Sequence, residues 1–269
     1  MRSIGKHSVL IIGSFLMIIP FLWMVLTSFK TYGESMQVPP TILPSEWNFN
    51  NYVSVFQSVD FLQYYINTLI VTVGRTLGQL FLCSLAAFAF ARLEFPGKNI
   101  IFLLILSVLM VPLQVILIPN FGIITQFGWV DTFYALIIPG VFSAFGVFLL
   151  RQFFMGIPKE LDDAAKIDGC SYFGIYWRII LPNATPALTA LGIFTILAAW
   201  NDFLWPLVMT NSEGMRVLSV GISNFQGQYS TDYPLLMAGA VLSTIPMLLM
   251  FIFLQKYLLA GIALGGVRR

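Results

Sequence analysis

The sequence predicts an all-α membrane protein of six transmembrane helices, on three observations. Of 269 residues, 58% are hydrophobic and 10% charged, with 25 Phe and a mean hydropathy of +0.85, far from an average soluble domain. The apolar residues gather into six stretches of the length a bilayer requires, about 20 residues each. Lys and Arg fall unequally between the two sets of connections that these stretches create.

The first stretch, Val9 to Phe29, follows Arg2 and Lys6. It is longer than a signal-peptide core and no small-residue cleavage site follows it, so it is expected to stay as an anchor. The others are Asn67 to Ala91, Ile100 to Ile123, Phe133 to Leu150, Ala187 to Leu207 and Leu235 to Gln255. Arg2, Lys6, Arg92, Lys98, Arg151, Lys159, Lys166, Arg178, Lys256, Arg268 and Arg269 share one side, against Lys30 and Arg216 on the other. Positive charge near span ends resists translocation, so the first side is expected to be cytoplasmic and to hold both termini. The expected division is an anchor helix with an extracytoplasmic loop (1–66), a core of spans (67–258) and a cytoplasmic tail (259–269). A second outer segment runs from about Asn211 to Pro234. Pro112, Pro119, Pro139 and Pro246 lie within spans, where a missing N–H kinks a helix; motion and plain packing explain them equally well. The spans show no matched halves, so a complete pathway is expected to need a second subunit.

Several function classes are disfavoured. A net charge of +2 gives no basic surface for a nucleic acid. Cys83 lies in an apolar run and Cys170 in a polar loop, so no disulfide is expected between them. His7 is the only histidine and no Cys/His/carboxylate cluster has ligand spacing, so no metal is expected. Gly97-Lys98 is followed by Asn99 and lacks the upstream glycine of a phosphate-cradling loop, so the chain should neither bind nor hydrolyse ATP. No catalytic set lies at one membrane depth, against a membrane enzyme. An ion-coupled secondary transporter, the main alternative, would bury acids or histidines for coupling. A passive scaffold would not require a structured inner loop.

That loop, about 151–186, is the one inner connection large enough for structure of its own. Pro158 suits a first helical turn, Asp162 and Asp163 favour the positive end of the dipole, and Asp162 is spaced to pair with Lys166. Gly169 can turn left-handed and end the helix, an aromatic amphipathic stretch runs from Tyr172 to Leu181, and Pro182 and Pro186 break it. The pattern is helix, bend, helix. It fits either an amphipathic helix on the headgroups or a knob for a cytoplasmic protein.

The run Leu161, Asp162, Asp163, Ala164, Ala165, Lys166, Ile167, Asp168, Gly169, continuing to Ile180, Leu181 and Pro182, resembles the EAA loop of permease subunits of ABC importers. The surroundings are similar to the carbohydrate branch, the maltose-type second permease: Asn67-Thr68, Leu85 to Arg92, Phe148 to Phe154, Ile157-Pro158, Ala199 to Leu204 and Gln255 to Val267. Asp163 stands where the motif usually has Glu, which keeps the charge and shortens its reach. The resemblance implies the type I transmembrane domain of such importers, in the cytoplasmic (inner) membrane. It implies a homologous second permease, a pair of ATPase subunits that use ATP and Mg, and an extracytoplasmic solute-binding protein that delivers a sugar. By position, Asp162, Asp163, Ala164, Ala165, Asp168, Gly169, Leu181 and Pro182 would form the ATPase-docking loop.

Arg75 lies about eight residues, or about 12 Å, into the second span, where a charge should face a cavity or a partner. It is expected to pair with Asp202 or with an acid of the partner permease; an anionic substrate is a weaker alternative. Trp200, Asn201 and Asp202 offer the aromatic face and planar polar groups that sugar sites favour, so with Arg75 they are candidates for lining the pathway. The competing reading is that they anchor a helix end at the interface.

Overall fold

Apolar runs of this length satisfy their own backbone in a bilayer only as helices or closed barrels, and here they fold as helices. The computed structural model describes residues 2–227 and 231–266, with side chains at 6–227, 231–253 and 255. Val267, Arg268 and Arg269, and the side chains of Arg2 and Lys256, lie outside the described residues. Among the described residues there is no strand, and Gln226 and Thr231 form an isolated bridge.

In chain order the helices are α1 (Arg2–Thr27), α2 (Tyr32–Ser35), α3 (Asn50–Ser58), α4 (Phe61–Arg92), α5 (Lys98–Ser107), α6 (Leu113–Gln126), α7 (Phe133–Ile137) and α8 (Ala144–Met155). They continue as α9 (Glu160–Ile167), α10 (Tyr172–Ile175), α11 (Leu181–Asn183), α12 (Thr185–Trp200), α13 (Leu204–Met209), α14 (Leu218–Ser223) and α15 (Tyr233–Gly266). Among the described residues, four segments are long and apolar enough to span: Lys6–Thr27, Phe61–Arg92, Phe133–Met155 and Tyr233–Phe253. Two bent pairs raise the number to six if each counts once: Lys98–Met110 with Leu113–Gln126, at 104°, and Tyr172–Asn183 with Thr185–Trp200, at 78°. The stretch Ile100 to Ile123 is therefore not one straight helix. A 3-10 turn at Val108–Met110 and extended backbone at Val111 and Pro112 break it, because Pro112 has no N–H and cannot continue α5. Nor does one helix run from Ala187 to Leu207, since the chain leaves α12 after Trp200 and restarts at Leu204.

The chain forms two compact units, Met1–Tyr65 with Val217–Leu249, and Ile66–Arg216 with Met250–Arg269. In the first, the connection after α1 is a folded element. Phe29 gathers the rings of Trp47, Phe49 and Tyr52 at centroid distances of 5.1–5.3 Å. The Asn51 amide donates to the carbonyls of Ser28 and Lys30, both at 2.8 Å. Lys30 is buried, its ammonium donating to the Thr41 carbonyl and sitting 4.6 Å from the Trp23 ring centroid. Burial pushes the Glu34 carboxyl up, but the Ser45 amide and the Thr41 hydroxyl, with Lys30 nearby, outweigh it and hold the group below its ordinary value.

The core of the second unit joins α4, α8 and α12 to the segment after α9: Cys83, Ala87, Phe88, Val147, Leu150, Ile175, Tyr176, Ile180 and Leu191 are all buried. Tyr176–Ile180 is a π-helical turn, a geometry that widens the helix and frequently marks function. It turns Tyr176 inward, with its ring 5.4 Å from Phe88 and its hydroxyl 2.8 Å from that of Ser84.

Candidate functional site

The loop helix α9 is short, so its own hydrogen bonds hold it weakly and its ends matter. Glu160, Asp162 and Asp163 occupy the first turn and Lys166 the last, each favourable to the dipole. After Asp168 the backbone reverses at Gly169, whose φ of 79° is open to glycine and costly for other residues. The Gly169 N–H donates to Lys166 at 3.0 Å and the Cys170 N–H to Ala165 at 2.9 Å, the paired bonds of a Schellman cap. Ser171 then caps α10 by accepting from the Gly174 N–H. Helix, bend and helix form as the sequence predicts.

The two faces of α9 differ. Asp162 and Ala165 point inward, Asp162 only 7% exposed, with a carboxylate oxygen 3.2 Å from Nε of Arg92 at the end of α4. The Arg92 guanidinium also donates to the Ile157 carbonyl at 2.8 Å. Burial pushes the Asp162 carboxyl up despite Arg92, and its Oδ1 has no hydrogen-bond partner among the described residues. The expected ion pair between Asp162 and Lys166 is not formed. Lys166 instead pairs with exposed Asp163 at 3.2 Å, because the helix turns Asp162 away toward Arg92. The outward face shows Leu161, Asp163, Ala164 and Asp168, with Ile167 87% exposed. Leu181 is half-buried against the core and Pro182 is exposed, at the start of the short turn α11.

Arg75, on α4, is buried and donates from Nε to the Leu136 carbonyl at 2.6 Å and from Nη1 to Asp202 at 2.7 Å. One turn on, Gln79 donates to the Gly140 carbonyl at 2.8 Å and accepts from the Thr195 hydroxyl at 2.9 Å. The acceptors exist because α7 stops. Pro139 removes the donor that the Ala135 carbonyl would meet in a continuous helix, and the Trp205 indole supplies one instead at 2.9 Å. Arg75 passes so close that a Cβ on Gly140 would lie 2.7 Å from its Cδ and Nε. This clasp holds the α7 break against α4, with α12 and α13.

Of the residues expected to line a pathway, Arg75 and Asp202 meet in this ion pair and Trp200 is buried. Asn201 is exposed, its amide donating to the Leu197 carbonyl at 2.8 Å. Cys83 and Cys170 are both free thiols.

A match to the binding-protein-dependent transport system inner membrane component family covers residues 79–263. The chain belongs to that family. Proteins similar to it include the arabinooligosaccharides transport system permease protein AraQ of Halalkalibacterium halodurans, 35% identical over 95% of this chain and 92% of that one. The trehalose/maltose transport system permease protein MalG of Thermococcus litoralis is 34% identical, over 99% of each. A solved bacterial ABC transporter involved in the import of the acidic polysaccharide alginate matches with a TM-score of 0.83 at 22% identity, over 95% of this chain and 96% of that one, and carries the same fold. As an inner membrane component of an ABC importer, the chain is a permease and not itself an enzyme.

Sequence reasoning missed Gln79, Gly140, Thr195 and Trp205, and the anchoring role of Arg92. A signal for the clasp was present: Gly74 and Gly78 form a small-xxx-small pair in an apolar helix, which marks a close helix contact, and Arg75 and Gln79 follow them at the same spacing. Nothing in sequence indicates that Arg92, far from Asp162 along the chain, meets it.

Proposed function

We propose that this chain is one of two homologous permease subunits through which an ABC importer carries a sugar into the cytoplasm, by alternating access. In this reading the bent pairs count as single spans, the six spans leave both termini cytoplasmic, and α9 receives ATPase subunits that use ATP and Mg. An extracytoplasmic binding protein delivers the substrate to the outer segments. The carbohydrate class is supported by the relatives named for arabinooligosaccharides and for trehalose and maltose.

The observation that carries the reading is the two-faced loop helix. Its inner face is bound to the permease body through Asp162 and Ala165, while Leu161 and Ile167, 42% and 87% exposed among the described residues, leave apolar surface on the outside. A push on that face reaches α4 through Arg92, and the packed Tyr176 gives it a second route through Ser84. From Arg92 to Arg75 is about 25 Å of continuous helix at 1.5 Å per residue. Helix α4 thus joins the docking loop to the clasp, and rocking of this lever against the α7 break is the step that changes access. Asp163, Ala164, Asp168 and Gly169 shape the knob, with Leu181 and Pro182 fixing the chain where it turns into α12. Trp200, Asn201 and Asp202 lie where that helix ends, and any contact with substrate there is made beside the clasp.

The test is uptake of labelled oligosaccharides by vesicles holding the complete assembly. Vanadate-sensitive uptake that Gly169→Pro abolishes is expected. Uptake that follows the proton gradient and ignores ATP would sink the importer reading, and full uptake by Gly169→Pro would sink the docking role.

A further inference from the structure

The ends of three helices enclose a cavity of about 630 Å³, within the size range of small-ligand sites, that the transport reading does not use. Arg92 at the end of α4, Lys98 at the start of α5, Arg151 near the end of α8 and Lys159 before α9 all line it, and Glu94 is the one carboxylate among its lining residues. Glu94 is engaged by Lys98 at 3.2 Å, with its own side chain 85% exposed. Arg92 is engaged from behind by Asp162. Arg151 lies 4.1 Å from the Phe102 ring centroid and donates from Nε to the Phe90 carbonyl at 3.2 Å, which fixes the guanidinium at the wall. The Lys159 ammonium makes no hydrogen bond or ion pair among the described residues, although its carbonyl accepts from the Asp162 and Asp163 N–H groups of α9.

Cations held in one concavity with so little opposing charge focus a positive potential and call for an anion. Phosphate suits the pair, since a fixed guanidinium matches its oxygens and an ammonium adds a point charge. The surroundings decide the source. The cavity wall includes Phe95, Ile100 and Met155, and the exposed apolar face of α5 continues from Ile100 through Leu103 and Leu104. A headgroup seated among the cations would lay its acyl chains along that face. We infer that this cavity binds the phosphate of an anionic membrane lipid at the cytoplasmic surface. Its placement on that surface rests on the orientation proposed above, whereas binding itself does not.

The test is native mass spectrometry of the complete assembly, purified in mild detergent and titrated with phosphatidylglycerol or phosphatidylcholine, so neither orientation nor transport enters the readout. Phosphatidylglycerol is expected to bind in preference. Lys159→Gln and Arg151→Gln should each weaken it about fivefold, and Arg151→Lys should restore only part of the loss, because an ammonium keeps the charge without the guanidinium fork. Lys159 is exposed, so its variant reports binding without a folding defect. Equal binding of the two lipids, or unchanged binding by Lys159→Gln and Arg151→Gln alike, overturns the inference. Displacement of the lipid by low-millimolar inorganic phosphate also overturns it, by assigning the cavity to a free anion.

Discussion

Replacing Asp202 by Leu leaves the Arg75 guanidinium buried beside the α7 break without its carboxylate. The two side chains are 10% and 19% exposed, so solvent screens the pair little. At about 4 Å between charge centres and an effective dielectric of about 20, their attraction is about 4 kcal/mol. Removing one partner of a buried pair costs about 3–5 kcal/mol, because the survivor stays charged and unpaired. Arg75 keeps the Leu136 carbonyl, which puts the expected loss at the lower end, about 3 kcal/mol. Arg75→Met strands both Asp202 and that carbonyl and should lose at least as much. The double variant Arg75→Met/Asp202→Leu strands the Leu136 carbonyl and the Trp205 N–H that donates to Asp202 at 3.4 Å but no charge, at about 1–3 kcal/mol for each group, and should lose less than the sum of the two single losses. Cys83 is fully buried, so its reaction with a thiol reagent on heating, in a Cys170→Ser background, reports opening of this core. At about 2–4 °C per kcal/mol, each single change should lower the midpoint by about 10 °C. A double variant that loses the sum of the two single losses would refute the clasp.

Other expectations follow from the same geometry. Gly140→Ala forces a methyl onto the Arg75 side chain, so a loss of about 1–3 kcal/mol is expected in the same thiol assay, and a smaller one when Arg75→Met is also present. At Gly169 a Cβ meets nothing within 4 Å, so Gly169→Ala should lower uptake through backbone cost alone, about 1 kcal/mol, whereas Gly169→Pro removes the capping N–H as well and should abolish it. Glu34 is held below its ordinary value of 4.5, so its contribution to the folded connection after α1 is complete above pH 4.5 and is lost as pH falls through the lower folded value. Tryptophan fluorescence from Trp23 and Trp47 should show that acid transition, and Glu34→Gln should remove its pH dependence.

Much of this fold is legible in sequence because a bilayer demands long apolar helices and little else yields them. The cap at Gly169 is legible for a similar reason, since few residues other than glycine take that φ. Arg75 and Asp202 could be paired on depth alone, charges being scarce inside spans. The direction of Asp162 was not legible: an i, i+4 rule names Lys166, and only the packing of α9 on the end of α4 turns the carboxylate to Arg92. Pro112 announces a break but not an angle of 104°, which depends on what packs at each side. The carbonyls that bind Arg75 and Gln79 are invisible for a plainer reason. Every residue has one, and only the interruption of α7 makes these available.

That interruption carries an evolutionary consequence. Pro139 and Trp205 are far apart in the chain, yet the proline creates the unmet Ala135 carbonyl that the indole N–H satisfies. Among relatives, loss of the proline would restore a helical donor and relax selection on the tryptophan, while loss of the tryptophan alone would leave an unsatisfied acceptor. The two positions should therefore covary, with the proline-free state the permissive intermediate.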